Sequence, residues 1–276
     1  MTTSPSTTQT SVRARVLLSK VPEVTVFFWI IKVLCTTVGE TFADYINKKL
    51  GDNLNTTTVV MSVLLVVALI FQFRAPKYVP SIYWVTVVLI SVVGTLITDN
   101  MVEHFHVSLT TSTIIFAIAM LASFAVWFAS ERTLSIHSIY TPKREAFYWL
   151  AILFTFALGT AAGDLIAEKY SLGYFKSALL FAGLILVIAM AHLRLRLNAV
   201  LAFWAAYVLT RPLGASIGDL LSQPKTIAAD ADPGTQAGLG LGTTVTSLIF
   251  LGAILAVVLY LTNEERRHPT IVTDLD

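Results

Sequence analysis

Four aspartates, Asp44, Asp99, Asp164 and Asp219, each close an apolar run, fifteen residues after a tryptophan and five after a glycine. The frame has no gap: FFWIIKVLCTTVGETFAD, IYWVTVVLISVVGTLITD, FYWLAILFTFALGTAAGD and AFWAAYVLTRPLGASIGD align Trp29, Trp84, Trp149 and Trp204, then Gly39, Gly94, Gly159 and Gly214, then the acids. An ionisable group in mid-helix costs roughly 2.5–3.5 kcal/mol on insertion scales, so it is normally paired or faces water. Rings of carboxylates attract and bind cations, and like charges held close raise one another's affinity for protons. The first repeat adds Glu40, one turn before Asp44, where the other repeats have Thr95, Thr160 and Ala215. Carboxylates with nearby hydroxyls suit hard-oxygen ligation of a divalent ion. The candidate metal or cation site is therefore Asp44, Asp99, Asp164, Asp219 and Glu40.

Two cations interrupt the same runs. Arg211 precedes Pro212 in the fourth repeat, and an arginine at that depth needs a carboxylate, either Glu40 or one of the aspartates. Lys32 in the first repeat either snorkels to the near interface or serves as a second counter-charge. The intramembrane balance is then five acids against two bases.

The elements that must position these groups follow from composition. The chain has 276 residues, 55% hydrophobic and only 13% charged, with a net charge of +2, and its mean hydropathy is +0.74. An average soluble chain carries about 25% charged residues. Eight apolar runs of bilayer length exclude a soluble enzyme or nucleic-acid binder, and lipid leaves helix as the form each run must take. The expected fold is all-α, with spans at about 23–45, 57–74, 80–101, 109–129, 145–167, 175–193, 198–221 and 241–262. One transmembrane domain over 21–262 then lies between a disordered tail at 1–20 and a polar tail at 263–276. SQPKTIAADADPGTQAG between the last two spans reads as a solvated loop.

Successive repeat tryptophans are 55, 65 and 55 residues apart, which suggests duplication of a four-span half. The repeats run about 22–75, 78–130, 141–195 and 197–262. Each contains an even number of spans, so all four run the same way, as parallel pseudo-repeats about an axis along the membrane normal. One chain would imitate a tetramer of helical hairpins. The fifteen steps from Trp to Asp cover roughly 22 Å, which places the carboxylates in the outer half of the apolar layer. The tryptophans fit an aromatic belt at headgroup level, and the glycines fit close helix approach. Hydroxyl clusters at Thr56–Thr58, Thr110–Thr113, Ser177 and Thr243–Thr244 open the even-numbered spans, as caps do. Glu103, His104 and His106 read as a solvated loop, and the lone Cys35 as core packing. Of nineteen Lys and Arg, twelve flank the N-terminal side, five flank the other, and two lie within spans. The bias places both termini in the cytoplasm.

The stretches KVPEVTVFFWIIKVLCTTVGET, TPKREAFYWLAILFTFALGTAAGDL and FWAAYVLTRPLGASIGDLL resemble a family of uncharacterised bacterial integral membrane proteins, often called membrane-anchored proteins. The likeness runs from about 20 to 262 and implies a bacterial inner-membrane location without an activity. The acidic motifs are also similar in style to the Glu-x-Gly-Asp signatures of some manganese and calcium exchangers. Ala161 and Ser216 stand where that glutamate would be, so no site residue follows from it. The residues point to a transporter or channel for a small cation, a divalent metal among the candidates, with lipid as its surroundings and no cofactor or nucleic acid expected. The alternatives are an intramembrane aspartyl-type enzyme and a non-transporting structural subunit.

Overall fold

The computed structural model describes residues 19–227 and 236–267. Eight long helices account for nearly all of it: α1 (Val26–Lys49), α2 (Leu54–Arg74), α3 (Pro80–Asp99), α4 (Leu109–Glu131), α5 (Pro142–Asp164), α6 (Tyr174–Leu195), α7 (Ala199–Ser222) and α8 (Gly242–Arg267). All eight are long and apolar enough to cross a membrane, and no strand occurs among the described residues. Local chemistry starts them where the sequence changes. The side chains of Thr25, Asn53, Ser108, Thr141 and Asn198 accept first-turn N–H groups, and Pro80 and Pro142 occupy first-turn positions that need no donor.

The odd-numbered helices form the core. Between 61% and 67% of each odd-numbered apolar stretch is buried, against 6% to 22% of each even-numbered one. α1 packs on α3, α3 on α5, α5 on α7, and α7 back on α1, which closes a four-membered ring. The outer layer departs from the expected hairpins. α2 barely touches α1, the helix it follows in sequence, and packs instead on α3; likewise α4 covers α5, α6 covers α7, and α8 returns to cover α1. Consecutive spans are thus sequence repeats without being packing hairpins, and each outer helix staples its own repeat to the next.

Glycine makes the ring tight. A Cβ on Gly39 would meet Ser91, one on Gly94 would meet Phe156, one on Gly159 would meet Arg211, and one on Gly214 would meet Thr36, all closer than 3.0 Å. In every case the partner is three residues before the next repeat's glycine, so a single close approach recurs four times around the ring. Lipid tails are as apolar as the helices, so such close packing, not hydrophobic exclusion, holds the ring together.

The tryptophans do not form a headgroup belt. Trp84, Trp149 and Trp204 are buried and Trp29 is half-buried. The aromatic residue before each Trp packs on the next repeat's Trp: Phe28 on Trp84 at 5.7 Å, Tyr83 on Trp149 at 5.5 Å, Tyr148 on Trp204 at 6.2 Å, and Phe203 on Trp29 at 5.6 Å between centroids. Inter-repeat packing at these spacings is worth about 0.5–1.5 kcal/mol per pair beyond burial, which favours turning the rings inward.

The ends of the chain are also more tied down than polarity suggests. Residues 1–18 and 268–276 lie outside the described residues, but Ser19 and Lys20 belong to the fold. Lys20 N–H donates to the Ile139 carbonyl at 3.0 Å and the Ser19 carbonyl accepts from Tyr78 N–H at 2.9 Å. Lys20 Nζ is buried against Glu145 at 2.7 Å, and Gln72 Nε2 donates to the same carboxylate at 2.9 Å. Of the loop after α7, residues 228–235 lie outside the described residues. Its return, Gly238–Leu241, caps α7 with N–H bonds to the carbonyls of Pro224, Leu220, Gln223 and Leu221.

Candidate cation site

Residues four apart on a helix lie about 40° from one another, so each odd-numbered helix presents a slowly turning row of side chains to its neighbours. Read from the tryptophan end, the stacked layers are Phe28, Tyr83, Tyr148 and Phe203; then Lys32, Val87, Ile152 and Tyr207; then Thr36, Ser91, Phe156 and Arg211; then Glu40, Thr95, Thr160 and Ala215; and last Asp44, Asp99, Asp164 and Asp219. Apart from half-buried Phe203, the first four layers are buried throughout, while Asp44, Asp99 and Asp164 are half-buried and Asp219 is 6% exposed. Burial is near complete from the tryptophan end to Glu40 and falls off at Asp44, Asp99 and Asp164.

The fourth layer is where the helices converge. Arg211 donates from Nη1 to the Thr36 carbonyl at 2.8 Å and from Nη2 to Glu40 Oε2 at 2.7 Å. Thr160 Oγ1 lies 2.7 Å from the same nitrogen, and Thr95 Oγ1 also bonds it. Three other helices thus supply oxygens to one guanidinium that is wholly buried. The expectation that Arg211 would find Glu40 or an aspartate resolves to Glu40. Thr95 and Thr160 do meet Glu40 at the axis, with the guanidinium between them. The side chain of Arg211 reaches this point because its stem lies on Gly159, where a Cβ would collide with the arginine Cβ and Cγ.

Lys32 does not snorkel. It is fully buried, with Nζ 4.0 Å from the Phe156 ring centroid and 4.1 Å from that of Tyr207. No hydrogen-bond acceptor reaches that nitrogen among the described residues. Ring faces attract a desolvated cation by about 2 kcal/mol or more. Below it, the Tyr83 and Tyr148 hydroxyls bond at 2.5 Å and seal the tryptophan end.

The four aspartates sit one per odd-numbered helix, at or near its end. Each carboxylate interacts electrostatically with Glu40 and with at least one more carboxylate, and Asp164 also interacts with Arg211. Among the described residues none of the four is in an ion pair. Nor, among those residues, do any three His, Cys, Asp or Glu side chains gather closely enough to hold a metal ion. Asp44, Asp99, Asp164, Asp219 and Glu40 therefore share an electrostatic field but do not form one chelating cluster. The helices are zipped at the glycines, five residues before the acids, and burial falls off beyond that point.

Two features of the aspartate end have no counterpart in the sequence pattern. α3 and α5 continue past their aspartates as π-helical turns, Asn100–His104 and Leu165–Lys169, a distortion frequent at functional sites. Glu103 and His104 lie in the first of these turns, where His104 bonds Asn55 at 3.2 Å. Glu168 in the second accepts from the Tyr174 hydroxyl at 3.0 Å and interacts electrostatically with Asp44, Asp164 and Asp219. Of the hydroxyls that open the even-numbered helices, Thr58 accepts from Asn100 Nδ2 at 2.7 Å and Thr110 from Lys169 at 2.7 Å, while Ser177 Oγ is buried without a partner among the described residues.

Fold and site together define an eight-span membrane protein with four parallel pseudo-repeats around a charged, plugged axis. The chain belongs to the family defined by the Repeat of Unknown Function DUF347, four copies of which match residues 27–78, 82–133, 147–198 and 202–267. Their starts are 55, 65 and 55 residues apart, the same spacings as the tryptophans. No curated protein and no solved structure matches the chain.

Proposed function

We propose that this protein carries a small cation across a membrane through the axis of its four-helix ring. The observation that carries the reading is the buried Arg211–Glu40 pair one layer from four aspartates, of which Asp219 is buried and the other three are half-buried. A carboxylate mouth concentrates cations by its field. The first acid beyond the mouth, Glu40, is held by a cation belonging to the protein. An arriving cation competes with Arg211 for Glu40, and the displaced guanidinium is drawn towards Asp164, the aspartate with which it already interacts. Opening at the tryptophan end then requires the Tyr83–Tyr148 layer to part, so the two ends open alternately. The charge bias of the flanks and the family resemblance support a bacterial inner membrane with both termini in the cytoplasm, so the aspartate mouth faces outward.

The test is uptake of manganese, magnesium, sodium, potassium and guanidinium by liposomes holding the purified protein, with Asp164→Asn in parallel. The expected result is flux of one cation that the variant loses. Absence of flux for all of them, from protein shown to be folded, would end the transport reading.

A further inference from the structure

The oxygens around Arg211 define a receptor, and its chemistry names a substrate class. This inference rests on the cation-transport reading and narrows it. The receptor offers one carboxylate from Glu40, hydroxyls from Thr95 and Thr160, and the Thr36 carbonyl, drawn from three helices. The contacts with Glu40, Thr160 and Thr36 lie at 2.7–2.8 Å. That is the separation of charge-assisted N–H···O bonds, about 2.7–2.9 Å. A bare magnesium ion needs about six oxygens near 2.0–2.1 Å, and calcium needs six to eight at about 2.3–2.6 Å. Glycine contacts bring the helices together at this layer and set the backbone frame from which these oxygens project. One layer beyond, the faces of Phe156 and Tyr207 lie 4.0 and 4.1 Å from Lys32 Nζ, the arrangement in which aromatic cages hold organic ammonium ions. Two regions of the axis are thus shaped for nitrogen cations, and each is filled by one of the protein's own.

We propose that the transported cation is a small organic nitrogen cation of the guanidinium or primary-ammonium class, which takes over the Glu40, Thr95, Thr160 and Thr36 oxygens from Arg211. Arg211 is then a tethered stand-in for the substrate. It keeps the receptor satisfied when empty, and it leaves only for a ligand that supplies both a positive charge and several N–H donors. Thr160 is a specificity residue, since its hydroxyl reads the donor.

The experiment uses full-length protein in liposomes, with guanidinium chloride, methylammonium chloride and manganese chloride as probes. Guanidinium or methylammonium is expected to enter faster than manganese. Thr160→Val is expected to slow that entry by about tenfold, the equivalent of one hydrogen bond to a charged group, and Thr160→Ser to retain it. Manganese entry at a rate equal to or above that of both nitrogen cations would overturn the substrate class while leaving cation transport standing. Nitrogen-cation entry unaffected by Thr160→Val would overturn the receptor. No entry of any probe from folded protein would overturn both this inference and the transport reading.

Discussion

The two ends of the axis obey the same fourfold frame and use it differently. At the tryptophan end the repeats are close to equivalent: aromatic residue on next tryptophan, four times, with the two tyrosine hydroxyls bonded to each other. Between that layer and the equally repeated aspartates, the equivalence breaks at three charged positions. Glu40 stands among two threonines and an alanine, Arg211 among threonine, serine and phenylalanine, and Lys32 among valine, isoleucine and tyrosine. Repetition holds the ring shut, and the departures from it supply the chemistry.

The largest effect that would break this contrast is at the plug. Glu40→Gln leaves Arg211 buried with no carboxylate, and removing one partner of a buried pair costs about 3–5 kcal/mol. The expected outcome is a large fall in thermal stability in detergent, largely recovered when Arg211→Met is added. A double variant as unstable as the single one would show that the pair has no such coupling.

Next come the glycines. Gly214→Ala would drive its Cβ into the Thr36 hydroxyl and within 2.8 Å of Thr37 N, and overpacking of this kind costs about 1–3 kcal/mol. Gly183 in α6 has nothing within 4 Å of the position a Cβ would take, so Gly183→Ala is expected to leave stability equal or slightly raised. The pair of melting curves separates ring contact from helix propensity.

A smaller effect sharpens the comparison at the sealed end. Tyr83→Phe removes one buried hydroxyl bond to Tyr148, worth about 1 kcal/mol. At the open end Asp99→Asn is expected to change melting least of all, since the side chain is half-buried and leaves a field of like charges, yet to lower cation flux strongly. A variant that melts early with flux intact would reverse the assignment of the two ends.

Much of this was legible in the sequence. Helices, repeat frame, parallel direction and the need of Arg211 for a carboxylate follow from spacing and from the cost of buried charge, while the choice of Glu40 over the aspartates does not. The neighbour relations do not. A period shows that four segments are equivalent, but the stapling of α2 onto α3 instead of α1 depends on which faces meet, and two apolar surfaces in lipid look alike in sequence. The tryptophans illustrate the same gap: their depth reads as interfacial, and only the phenylalanine or tyrosine before each one, packing on the next repeat, turns them inward. Glu145 carried a signal that was available, an acid opening an apolar span three residues after Pro142, yet its partner Lys20 lies 125 residues away. The aspartates repeated in sequence, but spacing along a helix does not say whether carboxylates converge; zipping at the glycines sets that distance.

The proposed route requires an axis open at the aspartates and sealed at the tryptophans, and thiol labelling tests this most directly. The only native thiol, Cys35, is fully buried, and removing it as Cys35→Ala gives a background for single cysteines at Asp99 and Val87. Full-length protein in liposomes is then treated with cationic and anionic thiol reagents of equal size. Asp99→Cys is expected to react, faster with the cationic reagent by about tenfold because three aspartates remain around it, while Val87→Cys stays silent. Equal labelling of both positions, or no preference for the cationic reagent at Asp99→Cys, would contradict a mouth at the aspartate end.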